Sequence, residues 1–262
     1  MIEDINLYRE KLRSDYERSR NRVFFLDYDG TLAPFHPLPQ QAAPVAEVRE
    51  MLQTLAEDPA NRVVVVSGRE GDSLEQWLGD LPVTLVAEHG GFIKLPEKPW
   101  RPFLHTSAMW KDKVYPSMKA LTLHYSGSFL EDKQYSFSWH YRPIADRVTL
   151  EEKLQIISAI HALPAYGEFV VYDEDCTIEL RSSEINKGTF ATRFLWEGPS
   201  FDFVLAMGDG RTDEDLFDVI APPHYSIRVG RSIASSARFF LNRQEEVVPF
   251  FRAMLSSGVV GR

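Results

Sequence analysis

Asp27 and Asp29 stand two residues apart in Phe24-Phe25-Leu26-Asp27-Tyr28-Asp29-Gly30-Thr31-Leu32-Ala33, where an apolar run meets a glycine turn. Residues two apart on a strand point to the same side, so the spacing predicts that the two carboxylates leave the strand together. Carboxylates at the end of a buried strand are costly unless a cation or a positive side chain lies between them. The chemistry this allows is that of an acidic pair facing a metal ion, a lysine or an arginine. A DxDG taken alone is also an ordinary strand-to-loop turn, and the spacing by itself leaves both readings open.

Further along, three more polar residues occupy comparable places. Ser67 follows the apolar run ending at Val66, Asp209 follows the run Phe203 to Met207, and Lys187 opens a helix in Asn186-Lys187-Gly188. Each is commonplace alone, since Ser-Gly is a frequent turn and a lysine at a helix start is usually solvated. Ligands of open α/β sheets bind outside the carboxyl ends of the strands, so the four elements are expected to converge on one crevice.

The elements that must position them follow from periodicity. Residues 3 to 22 are dense in charge, with Leu7, Tyr8 and Leu12 at helical spacing, and a short helix should lead into the first strand. A proline-rich loop over 34 to 39 precedes Val45, Val48, Met51, Leu52 and Leu55, again at helical spacing. Strands are expected at 62 to 66 and 83 to 87, separated by a helix holding Leu74, Trp77 and Leu78. Such alternation predicts a parallel sheet with crossover helices. The pattern then breaks. A helix from about Thr106 to Leu121 should be interrupted or bent by Pro116, and Tyr135 to Tyr141 alternates aromatic and polar residues as an antiparallel strand does. Phe129 to Glu131 is its expected hairpin partner. Thr149, with Glu152 three residues on, caps a helix to Leu163, and a second hairpin turns around Asp173-Glu174-Asp175. The parallel pattern resumes at Asn186, with a last strand expected at Ser226 to Val229 and a last helix at Glu245 to Leu255. The organisation expected is 1–103 and 184–262 as one parallel-sheet domain, with an inserted α+β unit (αββαββ) over 104–183.

Composition narrows the partners. The net charge of -9 over 262 residues, with 44% apolar residues, describes a globular chain ill suited to nucleic acid or an anionic membrane surface. Cys176 is the one cysteine, which excludes an intramolecular disulfide and points to a reducing, cytoplasmic setting. The charged start has no apolar stretch of signal-peptide type, and no apolar run reaches the length of a membrane span.

The ordered set DxDGT (Asp27 to Thr31), strand-end Ser67, Lys187 and GDxxxD (Gly208 to Asp213) resembles the four motifs of the haloacid dehalogenase (HAD) superfamily of phosphatases. The resemblance implies an α/β fold, a HAD-like Rossmannoid parallel-sheet core with an inserted cap. It implies Asp27 as nucleophile, Asp29 as the acid that protonates the leaving oxygen and then activates water, and Ser67 and Lys187 as holders of the phosphoryl oxygens. Mg²⁺, a hard cation suited to oxygen ligands, would be held by Asp27, the main-chain carbonyl of Asp29, and Asp209, with Asp213 supporting the metal's water shell or Lys187. Thr31, Gly68, Arg69 and Asn186 are expected among the substrate-binding residues.

Several stretches are similar to the trehalose-6-phosphate phosphatase family in particular: Tyr8 to Arg22 ahead of the first motif, Val66-Ser67-Gly68-Arg69, Ala87-Glu88-His89-Gly90, Gly127-Ser128, Glu131-Asp132-Lys133, His140-Tyr141-Arg142 and Glu179. In that family the positions matching Glu131, Lys133 and Glu179 bind sugar hydroxyls from the cap, and His140 and Arg142 are expected beside them. The implied substrate is a small-molecule sugar phosphate, and association with, or fusion to, a trehalose-6-phosphate synthase is a further implication. Connections near 104 and 183 would serve as hinges. A phosphatase for sucrose 6-phosphate or mannosyl-3-phosphoglycerate, a phosphomannomutase with a more basic cap, and a non-catalytic regulatory domain are the rival readings. Two features depart from the family pattern. Strict alternation puts Glu131 and Lys133 on the aromatic side of the Tyr135 to Tyr141 strand unless a turn or bulge intervenes. Gly210 stands where the family usually has a second Asp.

Overall fold

A computed structural model describes residues 2–36, 39–104, 106–174 and 176–256. Two compact units divide the chain, one formed by Met1–Phe103 with Asn186–Arg262 and the other by Leu104–Ile185. The larger unit begins β1 (Glu3–Asp4), α1 (Arg9–Arg18), β2 (Arg22–Asp27), α2 (Ala46–Glu57), β3 (Asn61–Val66) and α3 (Gly71–Leu78), then β4 (Thr84–Ala87), β5 (Phe92–Lys94) and β6 (Arg101–Pro102). The smaller runs α4 (Met109–His124), β7 (Phe129–Asp132), β8 (Ser136–His140), α5 (Leu150–His161), β9 (Phe169–Glu174) and β10 (Thr177–Ser182). The larger then closes with α6 (Lys187–Glu197), β11 (Phe203–Gly208), α7 (Glu214–Val219), β12 (Tyr225–Val229), β13 (Phe239–Leu241) and α8 (Val247–Leu255).

The larger unit is built on a nine-stranded sheet in the order β1-β13-β12-β11-β2-β3-β4-β5-β6. Pairing is parallel from β1 to β4 across this order and antiparallel only at β4, β5 and β6. Every residue of β2 is buried, because helices cover both faces. Phe24 and Leu26 join one core with Leu52 and Leu55 of α2 and Phe251 of α8, while Phe25 meets Phe190 and Phe194 of α6 edge-on at 6.2 and 5.7 Å. A strand buried on both sides is a continuous apolar run rather than an alternating one, which is how β2, β3 and β11 appear in the sequence.

The inserted unit has its own sheet, β7-β8-β10-β9, antiparallel throughout. Trp110, Val114 and Met118 of α4 and Ile156 and Ile160 of α5 pack on Phe137, Trp139, Ile178 and Leu180. Thr149 and Glu152 form the expected reciprocal cap of α5, with Glu152 N donating to Thr149 Oγ1 and Thr149 N to Glu152 Oε2.

The structure extends the expected sheet and removes one of the two readings of Pro116. The helix is not interrupted there, since α4 continues past Pro116. The missing amide costs one hydrogen bond, and burial of Trp110, Val114 and Met118 on both sides of it holds the helix. Ser226 to Val229 is not the last strand, because β13 follows it, and β5 and β6 extend the other edge. These are strands of two or three residues, too short to carry a period. Of the loops read from sequence, Pro37, Leu38 and Asp175 lie outside the described residues. Among the described residues no helix is long and apolar enough to cross a membrane.

Candidate active site

β2 sits at the centre of the sheet, with β3 on one side and β11 on the other. The chain runs from β2 outward to β3 and β4, then returns to β11 on the opposite side. The carboxyl end of β2 is therefore the point where strand order reverses, the place where open α/β sheets leave a crevice. Asp27 ends β2, Ser67 follows β3 and Asp209 follows β11.

The turn after β2 is tight. Gly30 N donates to Ala33 O at 2.7 Å, and Leu32 N and Ala33 N both donate to Tyr28 O. Gly30 has φ +75, and a Cβ there would run into the carboxylate of Asp209. Only glycine permits both that backbone and so close an approach of Asp209. Gln244, which no feature of the sequence singled out, donates to the main-chain oxygens of Thr31 and Leu32 at 3.3 and 3.2 Å. Thr31 is fully buried, and its hydroxyl has no hydrogen-bond partner among the described residues.

Lys187, 1% exposed, reaches Asp27 Oδ1 at 2.5 Å and Asp213 Oδ1 at 2.7 Å. The second oxygen of Asp213 accepts the Gly210 amide at 3.0 Å. Carboxylate oxygens of Asp27, Asp209 and Asp213 lie within 4.8 Å of one another, so one ammonium faces three acids. Burial, reinforced by Asp213, pushes Asp27 well above the usual carboxylate range, and burial with Asp213 pushes Asp209 up to about 7. Burial alone would lower Lys187, but Asp213 and Asp27 overcome it and hold the lysine protonated. An oxygen-only cluster with an excess of buried negative charge fits a hard divalent cation. Asp213, with its oxygens engaged by Lys187 and Gly210, serves first to hold the lysine.

Asp29 is turned to a different partner. Arg69 Nε donates to Asp29 Oδ2 at 2.7 Å and Arg69 Nη2 to Asp29 Oδ1 at 2.6 Å. The guanidinium lies 4.8 Å from the ring of Trp77 and 5.5 Å from that of Tyr28, and those two rings stack on each other at 5.4 Å. Ser67 Oγ accepts the Arg69 amide at 3.1 Å, which leaves the serine O–H as its donor to another group. Asn186 is the N-cap of α6, its side chain accepting the Thr189 amide at 2.7 Å. That oxygen is thus committed to starting the helix that carries Lys187.

In the inserted unit, register decides which side chains share a face. Glu131 lies opposite Ser138, and Ser138 opposite Glu179. Facing residues of an antiparallel pair project to the same side, so Glu131, Ser138 and Glu179 form one cross-strand row. His140 and Thr177 form the next, with Phe129. Glu131 is thereby on the polar face, opposite the core residues Phe137 and Trp139, because a turn intervenes, as the alternation required. The tight turn, with Lys133 N donating to Ser136 O, pairs odd-numbered residues of β7 with even-numbered residues of β8, so parity changes across the hairpin. Glu131 Oε2 accepts from His140 Nε2 at 2.8 Å, Lys133 Nζ lies 3.5 Å from Glu131 Oε1, and His140 Nδ1 is 3.1 Å from Thr177 Oγ1. Burial would raise Glu131, but His140 and Lys133 outweigh it and hold the carboxyl below its usual range. Arg142 falls outside this face: β8 ends at His140, and Arg142 begins a 3-10 turn and is exposed.

Residues 25–245 match the model of the trehalose-phosphatase family. A bifunctional trehalose-6-phosphate synthase/phosphatase of Thermoproteus tenax is 37% identical over 222 residues, covering 84% of this chain and 30% of that protein. The chain spans about 30% or less of the length of the first curated relatives that it matches. The C-terminal domain of a Candida albicans trehalose-6-phosphate phosphatase superposes with a TM-score of 0.84 at 28% identity, covering 97% of this chain and 98% of that one. A haloacid dehalogenase-like hydrolase of Bacteroides thetaiotaomicron shares the fold, with a TM-score of 0.63 at 16% identity over 89% of this chain and 98% of that one.

Proposed function

The chain belongs to the trehalose-phosphatase family, of HAD-like fold, and on that premise we propose that it hydrolyses trehalose 6-phosphate to trehalose and phosphate with Asp27 as nucleophile. The observation that carries this reading is the buried cluster in which Lys187 bridges Asp27 and Asp213 with Asp209 close by.

A phosphate monoester is slow enough in water that an enzyme must lower the barrier by on the order of 20 kcal/mol or more. A covalent intermediate divides the task. One Asp27 oxygen forms a bond to phosphorus while the bond from phosphorus to the sugar's O6 breaks, and Asp29 delivers a proton to that leaving oxygen. Water then attacks phosphorus and gives its proton to Asp29. The bond from phosphorus to Asp27 breaks, and inorganic phosphate leaves. Asp29 can serve both steps because the second proton transfer reverses the first. Lys187 fixes the carboxylate of Asp27 and supplies positive charge beside it, and the Ser67 hydroxyl donates to a phosphoryl oxygen. Asp27, Asp209 and the main-chain carbonyl of Asp29 would hold Mg²⁺, which when bound neutralises phosphoryl charge.

Arg69 must release or share Asp29 as the dianionic phosphate arrives, and the incoming phosphoryl group is a fitting second partner for its guanidinium. Sugar selection is assigned to the polar face of the inserted unit, where Glu131, Lys133 and Glu179 would make charge-assisted hydrogen bonds to hydroxyls and reject sugars lacking them. Fusion to, or association with, a trehalose-6-phosphate synthase accords with the bifunctional relatives, and a reducing cytoplasmic setting accords with the free Cys176.

Phosphate release from trehalose 6-phosphate, sucrose 6-phosphate and glucose 6-phosphate, with Mg²⁺ and with chelator, tests the proposal. The expected result is Mg²⁺-dependent turnover that favours trehalose 6-phosphate. Equal rates on all three sugars would defeat the substrate assignment, and no release from any would defeat the reaction.

A further inference from the structure

Glu88-His89-Gly90 follows β4 and supplies no group to the reaction above. Glu88 has φ +46 and His89 φ +56, two consecutive residues with side chains in the left-handed region, where a Cβ is disfavoured. Such conformations persist where the surroundings over-determine them and gather at functional sites. Here the surroundings are the loop after β3. His89 N donates to Ser67 O at 2.8 Å, Glu88 N donates to Arg69 O at 3.0 Å, and Ser67 N donates to Val86 O at 2.9 Å. The loop residue between them is held by a side chain. A Cβ on Gly68 would lie 2.5 Å from both Cε1 and Nε2 of the His89 ring, and His89 itself is 8% exposed.

Main-chain bonds thus fix the loop on either side of Gly68, and an imidazole lies against Gly68 itself. Ser67 carries the hydroxyl assigned to the phosphoryl oxygens, and Arg69 carries the guanidinium that grips Asp29. We propose that His89 is a positioning residue for the reaction. The left-handed backbone of Glu88 and His89 aims their amides at the Arg69 and Ser67 carbonyls, and the His89 ring sets the height of the loop, so that Ser67 and Arg69 are held where the phosphoryl group and Asp29 require them. This rests on the proposed phosphatase reaction. The ring acts through the loop.

The test uses the full chain as wild type, His89→Gly, Gly68→Ala and the double variant. Each is assayed for phosphate release from trehalose 6-phosphate and from p-nitrophenyl phosphate, and for thermal unfolding. Glycine keeps the left-handed backbone accessible and removes only the ring. His89→Gly is expected to lower kcat on both compounds by about 10- to 100-fold, the scale of small misplacements of reacting groups, with KM changed much less and the unfolding midpoint nearly kept. Gly68→Ala should lose more in both activity and midpoint, and adding His89→Gly should restore part of each by opening space for the methyl group. If Gly68→Ala does not fold, a folded double variant upholds the contact and an unfolded one overturns it. If His89→Gly does not fold, His89→Asn, which tolerates the same backbone, carries the kcat measurement with the same two outcomes. An unchanged kcat in the histidine variant of an active enzyme overturns the positioning role, as does a double variant no better than Gly68→Ala. A wild type that releases phosphate from neither compound overturns the proposed reaction and the positioning role with it. Coupled midpoints would still uphold the packing of His89 on Gly68.

Discussion

Arg69 holds both carboxylate oxygens of Asp29, at 2.7 and 2.6 Å, while its guanidinium lies 4.8 Å from the ring of Trp77 and 5.5 Å from that of Tyr28. A planar fork matched to a carboxylate fixes direction as well as charge. In the proposed reaction the fork holds Asp29 in place before substrate arrives and then shares its N–H groups with the incoming phosphoryl group, which frees a carboxyl oxygen of Asp29 for its proton. Arg69→Lys keeps the charge and loses the fork, and is expected to lower kcat on trehalose 6-phosphate by about tenfold or more with an unchanged unfolding midpoint. Steady-state kinetics of the two proteins check this, and a lysine variant with wild-type kcat would contradict it.

The acidic cluster links stability to pH and metal. Asp209, near 3.9 in an unfolded chain, is held up to about 7 by burial and by Asp213, and burial moves Asp27 in the same direction. Between about pH 4 and 7 the native state therefore keeps a proton that the unfolded state has lost, so stability falls as pH rises through that window. His224, lowered by burial, works in the opposite sense and is common to metal-bound and metal-free protein. A bound cation removes the reason for protonation. The difference in unfolding midpoint between protein in Mg²⁺ and protein in chelator is expected to widen from about pH 5.5 to about pH 7.5. A difference that is constant or narrows over that range would contradict the cluster as the metal site.

Gly210 stands where the motif resemblance leads to the expectation of a second Asp, and the structure has room for one. A Cβ there would lie 3.6 Å from Asp213 Oδ2 and 3.8 Å from Thr212 Oγ1, ordinary contact distances, with φ at -99. Gly210→Asp should fold and add a fourth acid beside the cluster. Its expected signature is a lower unfolding midpoint in chelator, from added like charge, and an Mg²⁺ requirement for half-maximal activity reduced by roughly 2- to 10-fold. Titration of activity with Mg²⁺ decides it, and an unchanged requirement would mean that the new carboxylate faces away from the metal.

In the proposed reaction His140 is assigned to the sugar side. A carboxylate can only accept, so His140 Nε2 donates to Glu131 at 2.8 Å, while His140 Nδ1 lies 3.1 Å from the Thr177 hydroxyl. Phe129 stacks on the imidazole at 4.7 Å. Removing the donor from Glu131 forfeits a bond to a charged group worth about 1.5–3 kcal/mol. His140→Ala is therefore expected to raise KM for trehalose 6-phosphate by roughly tenfold and to leave turnover of p-nitrophenyl phosphate, which has no sugar, unchanged. Equal losses on both compounds would show a structural role instead.

The parts of this molecule that could be read from the sequence are those where one residue type answers to one physical need. Buried strands are apolar runs, and the groups that end β2, β3 and β11 stand out because polarity there is expensive. The capping box of α5 was equally plain in Thr149 and Glu152. What escaped depends on pairing across the chain. Whether Glu131 lies on the polar face or the core face turns on the parity of one hairpin, which no local period contains. Strands β5, β6 and β13 exist because neighbours lend them hydrogen bonds. Arg69 was expected to touch substrate, and its grip on Asp29 depends on β2 and β3 lying side by side. Asn186 was expected there too, while its side chain caps α6. His89 was visible only as part of a family-like stretch, because its ring packs on Gly68, in a loop far from it in the chain.

The proposed reaction turns on a bond between Asp27 and phosphorus. The most direct measurement is acid quenching of the full chain during turnover of trehalose 6-phosphate with Mg²⁺, followed by peptide mass analysis. The predicted result is the mass of one phosphoryl group on the peptide that contains Asp27, absent from Asp27→Asn, which should also release no phosphate. Sustained phosphate release by Asp27→Asn, or a phosphoryl group on any other residue, would contradict the account.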